Sequence, residues 1–143
     1  MAARAPRHAM DLGEAMIVAG IGCRKGATAQ EVEAAIAAAL EQTGCAGEEL
    51  VLMATSDGKG DEPGIKAAAA ARGLRLVLVR PAELEVSGAR TQSSSPRVKA
   101  LAGVPSVAEA AALFAAGPKS ELIAPRIAVG PVTCALVRTE ALP

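Results

Sequence analysis

The 143-residue chain has almost no aromatic side chains: Phe114 stands alone, with no Trp and no Tyr. An aromatic platform on which bases stack is therefore excluded. A surplus of charge of one sign is missing as well. The 15 basic and 15 acidic residues cancel, so no global field draws nucleic acid or an anionic membrane surface. Any anionic partner has to be met by a local cluster of cations. Cysteine is limited to Cys23, Cys45 and Cys134. An odd count without a C-x-x-C pair argues against a disulfide framework or a structural zinc, and for a reducing compartment. Long apolar runs are also missing, and none approaches the roughly 20 residues of a membrane span. Residues 1–13 hold Arg4, Arg7 and His8 without an apolar stretch, unlike a signal peptide. The expectation is a cytoplasmic protein with neither membrane nor nucleic-acid partners.

Aliphatic material is abundant: 51% of the residues are hydrophobic. The length favours one domain with one core, and that core must be built from Ala, Val, Leu and Ile. Met16-Ile-Val-Ala-Gly20 reads as a buried strand ending in glycine. Thr28-Ala-Gln-Glu31 is a capping box. It opens a helix to about Thr43, with Val32, Ile36, Ala39 and Leu40 on one face, closed by Gly44 and Gly47. Leu50–Ala54 reads as a second strand and Thr55–Asp61 as a polar loop. Asp61 or Glu62 then caps a helix with Pro63 in its first turn, running to Arg72 and Gly73. Leu74–Val79 is a third strand, stopped by Pro81. The span 82–103 shows no steady period and reads as a long loop. A second capping box at Ser106-Val-Ala-Glu109 opens a helix to Ala116, stopped by Gly117-Pro118. Short apolar pieces at Leu122-Ile123 and Ile127–Val129 lead to a final strand at Val132–Val137. Strands alternating with helices imply an α/β domain. It is expected to be a three-layer α/β/α arrangement with a mostly parallel or mixed sheet of about five strands over residues 16–138, a closing hairpin at the sheet edge, and tails at 1–15 and 139–143.

Ligands of such sheets bind beyond the carboxyl ends of the strands, which places two loops in view. The first reads Gly20-Ile-Gly-Cys-Arg-Lys-Gly-Ala-Thr28. It is not a dinucleotide fingerprint, because Gly26 falls one position too late and no acidic residue ends the second strand. It is not a P-loop either, since Lys25 precedes its glycine. Cys23 lies near Arg24, Lys25 and a helix start, which would lower its pKa, but a nucleophilic thiol needs a base, and the chain's one histidine, His8, falls in the N-terminal tail. What remains is either a cradle for an anion or a turn whose two cations face water. The cradle would use helix N–H groups, the dipole, the Arg24 fork and the Lys25 point charge. Local spacing does not choose between them. The second loop, Thr55-Ser-Asp-Gly-Lys-Gly-Asp-Glu62, sets Lys59 among Asp57, Asp61 and Glu62. A carboxylate beside a lysine can do acid/base chemistry or merely pair with it. No metal-ligand cluster and no redox-cofactor motif is visible, so neither metal nor cofactor is expected.

Five segments occur here in one order: GIGCRKG, TSDGKGDEPGI, Ser95-Pro-Arg-Val98, SVAEAAAL and VTCALVR. Together they resemble the CobE / CbiG C-terminal family of cobalamin biosynthesis, over roughly residues 16–138. The resemblance implies an α/β domain that handles corrin-ring precursors, large flat molecules edged with carboxylates. Within the family, CbiG is the cobalt-precorrin-5A hydrolase, which opens a lactone and releases acetaldehyde. The short segment ahead of the first strand resembles instead the stand-alone CobE arrangement. The family's motif positions fall on Gly22, Cys23, Arg24 and Gly26, on Asp57, Lys59 and Glu62, on Ser95 and Val98, and on Glu109 and Thr133. Arg126 stands in a segment where family members often carry lysine.

Two functions follow from the resemblance. In the first, the protein binds a corrinoid or precorrin intermediate and passes it to other enzymes of the pathway. The contacts are Gly22, Cys23, Arg24, Lys25, Gly26, Thr28, Lys59, Ser95 and Thr133, with the serine-rich stretch 91–96 as a cover. In the second it is a small hydrolase, with Asp57 or Glu62 as general base and Lys59 stabilising an oxyanion. A regulatory or scaffolding partner of other pathway enzymes is a third class.

Overall fold

The computed structural model describes residues 16–45, 49–94, 107–140 and 142. In chain order it contains β1 (Met16–Cys23), α1 (Ala29–Gln42), β2 (Leu50–Ser56), a 3₁₀ turn (Asp57–Lys59), α2 (Pro63–Arg72), β3 (Arg75–Val79), α3 (Pro81–Ser94), α4 (Val107–Ala116), β4 (Ser120–Leu122), β5 (Ile127–Val129) and β6 (Val132–Thr139). The strands form one mixed sheet of six, in the order β3-β2-β1-β6-β4, with β5 also paired to β6. β1 to β2 and β2 to β3 are parallel, as crossovers through α1 and α2 require. β6 runs antiparallel to β1 from Met16↔Thr139 to Cys23↔Val132.

Alternation along β1 divides the core. Ile17, Ala19 and Ile21 pack with Val32, Ile36 and Ile65 of α1 and α2. Val18 faces the other way, with Leu52, Ala54 and Val79 against Ala111, Ala112 and Leu113 of α4. The result is the expected three-layer α/β/α arrangement. Across the first layer, the Arg72 guanidinium donates to both carboxylate oxygens of Glu33, at 2.6 and 3.0 Å, and ties α2 to α1.

Three sequence expectations change. β1 does not stop at Gly20 but continues to Cys23, because β6 supplies a hydrogen-bonding partner for its last residues. The closing strands do form a β5–β6 hairpin, turning at Gly130 with φ 60°, yet β6 lies inside the sheet and not at its edge. The predicted loop after β3 is helical to Ser94. Its period is obscured because the helix lies near the surface: Val86 is 73% exposed while Ser87 is buried. The segment 46–48, with Gly47, and the segment 95–106, with Ser95, Val98 and Ser106, lie outside the described residues.

Alanine-rich α4 packs closely on the sheet. A Cβ added at Gly20 would overlap the Ala108 carbonyl oxygen and sit 2.9 Å from Ala112 Cβ. Small residues on both sides are what let helix and strand meet at this distance. Gly20→Ala is therefore expected to destabilise the fold by about 1–3 kcal/mol through overpacking, read as a lower midpoint in urea at unchanged m-value.

Candidate functional site

The carboxyl end of β1 passes directly into a tight turn. The Arg24 amide donates to the Pro131 carbonyl at 3.0 Å, and the Ala27 amide to the Arg24 carbonyl at 3.2 Å. Gly26 takes φ +86°, a left-handed conformation costly for any residue with a Cβ. Arg24 and Lys25 both project from this turn as exposed residues. The turn ends at Thr28, whose Oγ1 accepts from the Glu31 amide at 3.1 Å while Glu31 Oε1 accepts from the Thr28 amide at 2.9 Å. The capping box read from sequence is present, and α1 begins where it predicts.

The second turn is fastened to the first. Glu62 sits at the cap position of α2, but its side chain does not cap that helix. Instead Glu62 Oε1 accepts from the Gly26 amide at 3.1 Å, 36 residues away in sequence. Beside this bond, a Cβ added at Gly64 would overlap the Ala27 carbonyl oxygen, so the first turn of α2 rests against the backbone that leads into α1. Deeper in, the buried Thr55 Oγ1 donates to the Ile21 carbonyl at 2.7 Å and ties the ends of β1 and β2 together.

The sheet separates the predicted contacts onto two faces. On the α1 side, Cys23 is half-buried against the core. Burial pushes its thiol above the usual range, the Lys59 ammonium pulls it back, and the Glu62 carboxylate raises it further. The thiol is held neutral, the reverse of an activated nucleophile. On the α4 side, Thr133 Oγ1 donates to the Gly22 carbonyl at 3.3 Å. A Cβ at Gly22 would stand 2.7 Å from that hydroxyl and 4.0 Å from the Ala108 amide nitrogen. The first turn of α4 thus opens beside the end of β1, as do those of α1 and α2.

Asp57 lies in the exposed 3₁₀ turn, on the β3 side of the cluster. It acts electrostatically on Arg80, which directly follows β3. The Arg80 amide and guanidinium donate to the two oxygens of Glu83 at 2.9 and 2.8 Å. That hydrogen bonding holds the Glu83 carboxyl below its ordinary range and the guanidinium above its own. Arg80 was not anticipated as a member of this edge. The signal for it was the cation immediately after a strand, with an acid three positions on.

Among the described residues no group of three or more His, Cys, Asp or Glu side chains is arranged to hold a metal ion, and no helix is long and apolar enough to cross a membrane. A recess of about 600 Å³ lies elsewhere, lined mainly by apolar residues including Val77, Val86, Phe114 and Leu142. None of the turn-cluster residues described above lines it. Recognition of an anion depends on donors and cations, which the turn cluster supplies.

Cys45 and Cys134 are buried, and burial pushes the Cys134 thiol up to about 12. Iodoacetamide should therefore modify Cys23 first in the native protein. The pH midpoint of that reaction should exceed that of a free thiol. It should rise further in Lys59→Met, which removes the stabilising cation, and fall in Glu62→Gln. Mass spectrometry of timed quenches over a pH series measures all three.

The family model described as cobalamin synthesis G C-terminus matches residues 17–137. Protein CobE of a Sinorhizobium species is 37% identical over 120 residues, covering 84% of this chain and 78% of that protein. The solved structure of CobE, from the cobalamin (vitamin B12) biosynthetic pathway, superposes with a TM-score of 0.73 at 34% identity, over 87% of this chain and 90% of that one. A cobalamin biosynthesis protein of Agrobacterium tumefaciens gives 0.71 at 41% identity, over 87% of this chain and 99% of that one. With family model, relatives and fold in agreement, the chain belongs to the cobalamin synthesis G C-terminal family and is a cobalamin biosynthesis protein.

Proposed function

We propose that this protein binds a polycarboxylate corrin precursor at the carboxyl ends of β1 and β2, and hands it to ring-modifying enzymes of the pathway. One observation carries the proposal. The first turns of α1, α2 and α4 open at the same end of the sheet, where Arg24, Lys25 and Lys59 also lie. Helix starts present backbone N–H groups and a partial positive charge to an anion. Arg24 adds a planar fork and the two lysines add point charges. A neutral chain has to concentrate its cations in this way to meet a rim of carboxylates. The low aromatic content is no obstacle, because small apolar residues and glycine backbone can lie against a ring face without stacking.

Binding and transfer need no activated nucleophile, which agrees with a Cys23 thiol held protonated. Glu62 accepts a hydrogen bond from Gly26, so its first task in this reading is to hold the two turns together. Lys59 serves as a carboxylate contact.

Cobyrinic acid, a stable corrin with its carboxylates free, is a suitable probe in a spectral titration. Each charged hydrogen bond contributes on the order of 1.5–3 kcal/mol, so Arg24→Ala combined with Lys59→Ala should weaken binding at least about tenfold. Affinity of the unaltered protein should fall as salt rises. Unchanged affinity in the double variant would overturn the proposal. Acetaldehyde released on mixing with cobalt-precorrin-5A would replace transfer by lactone hydrolysis.

A further inference from the structure

We infer that Glu109 is a positioning residue which holds the Arg126 guanidinium beside the first turn of α4, and that Arg126 is a further carboxylate contact extending the site across β6. This rests on the corrin-binding reading above. Glu109 lies in the first turn of α4, and its side chain is 2% exposed. Every other buried position of α4 carries an apolar residue, mostly alanine. Burying a carboxylate is unfavourable unless it is paired and hydrogen-bonded. At Arg126 Glu109 finds both a hydrogen bond and an opposite charge. Its Oε2 accepts from the Arg126 amide at 2.8 Å and lies 3.9 Å from Arg126 Nη1. The first contact fixes the backbone of Arg126 and the second draws its side chain over the helix start. At 3.9 Å the second is a charge contact and not a hydrogen bond, so Glu109 does not take up the guanidinium's donors. The Arg126 side chain is 36% exposed.

Strand register shows where this guanidinium is anchored. Ile127 pairs with Cys134, and Cys134 with Ile21. Arg126 therefore enters β5 two strands from β1, about 10 Å across the sheet. Between them lies the first turn of α4, where Ala108, next to Glu109, packs on Gly20 and stands near Gly22. Gly22, Thr133, the start of α4 and Arg126 thus form one surface on the α4 side. Arg24, Lys25 and Lys59 serve the turns between β1, α1 and α2. A broad ring with carboxylates around its rim can meet cations on both sides of the sheet edge, which a small anion cannot do.

The test is titration of the full chain with cobyrinic acid over a series of salt concentrations. Arg126→Ala should weaken binding about tenfold and make its salt dependence shallower. Arg126→Lys should recover part of the loss, since it keeps the charge without the fork. Glu109→Gln should weaken binding in the native background and add nothing in the Arg126→Ala background, as expected of a residue that acts through Arg126. If Glu109→Gln does not fold, Glu109→Asp takes its place in the same cycle. Should Arg126→Ala bind as tightly as the native chain, with the same salt slope, while Arg24→Ala is weakened, this inference fails and the corrin-binding reading stands. Should the native chain not bind cobyrinic acid at all, that reading fails and takes this inference with it. A loss in Glu109→Gln that persists undiminished in the Arg126→Ala background would remove the positioning role.

Discussion

The structure depends on a central strand that is hydrogen-bonded on both edges. β1 pairs with parallel β2 on one side and along its whole length with antiparallel β6 on the other. A strand enclosed in this way buries side chains on both faces, and Ile17, Val18, Ala19 and Ile21 are fully inaccessible. It also extends to Cys23 in regular geometry, so the turn that follows leaves from a fixed point. Gly20 lets α4 settle on the strand, and that contact brings the start of α4 to the end of β1. The positions of three helix starts thus follow from one strand and its neighbours.

The bond from Gly26 to Glu62 is the second organising feature. Taken singly, each turn is short, polar and held by local hydrogen bonds. The carboxylate of one turn takes the orphan amide of the other, and α2 lies against the Ala27 backbone. The two become one unit, with Lys59 and Glu62 both acting on the Cys23 thiol. In this setting Cys23 has a physical role that its motif alone did not reveal. It is a half-buried, protonated side chain that seals the α1-side core below the charged turn. The cations around it, which suggested activation, are outweighed by burial.

Much of this was legible in the sequence because the signals are local. Thr28 and Glu31 form the capping box they encode. Gly73 adopts φ 69° at the end of α2, and Gly26 supplies the left-handed residue of the first turn. The alternation of strand and helix was enough to predict a layered sheet. The order of motifs pointed to the family that the comparisons then showed. Less was visible wherever a partner far along the chain decides the outcome. Nothing near Gly20 says that β6 will extend β1, and nothing in Val132–Val137 says that this strand sits inside the sheet. The stretch after Pro81 reads as a loop because its apolar residues do not mark one buried face: Val86 is exposed while Ser87 is buried.

The candidate site divides along the same line. Residue types were readable: glycines for tight turns, Arg24 and Lys25 at a helix start, Lys59 among acids. Their grouping was not, since it depends on Glu62 reaching Gly26, on Thr133 lying opposite Gly22 and on Glu109 meeting Arg126. These pairs are separated by 36, 111 and 17 residues, beyond the reach of any local pattern. By itself the sequence determined the elements, their caps and the chemistry available at their ends, because those follow from neighbours within a turn or two of chain. Only the tertiary structure decided which ends meet, which charges oppose one another and which thiol stays neutral, because distance through space and exclusion of water are set by packing and not by order along the chain.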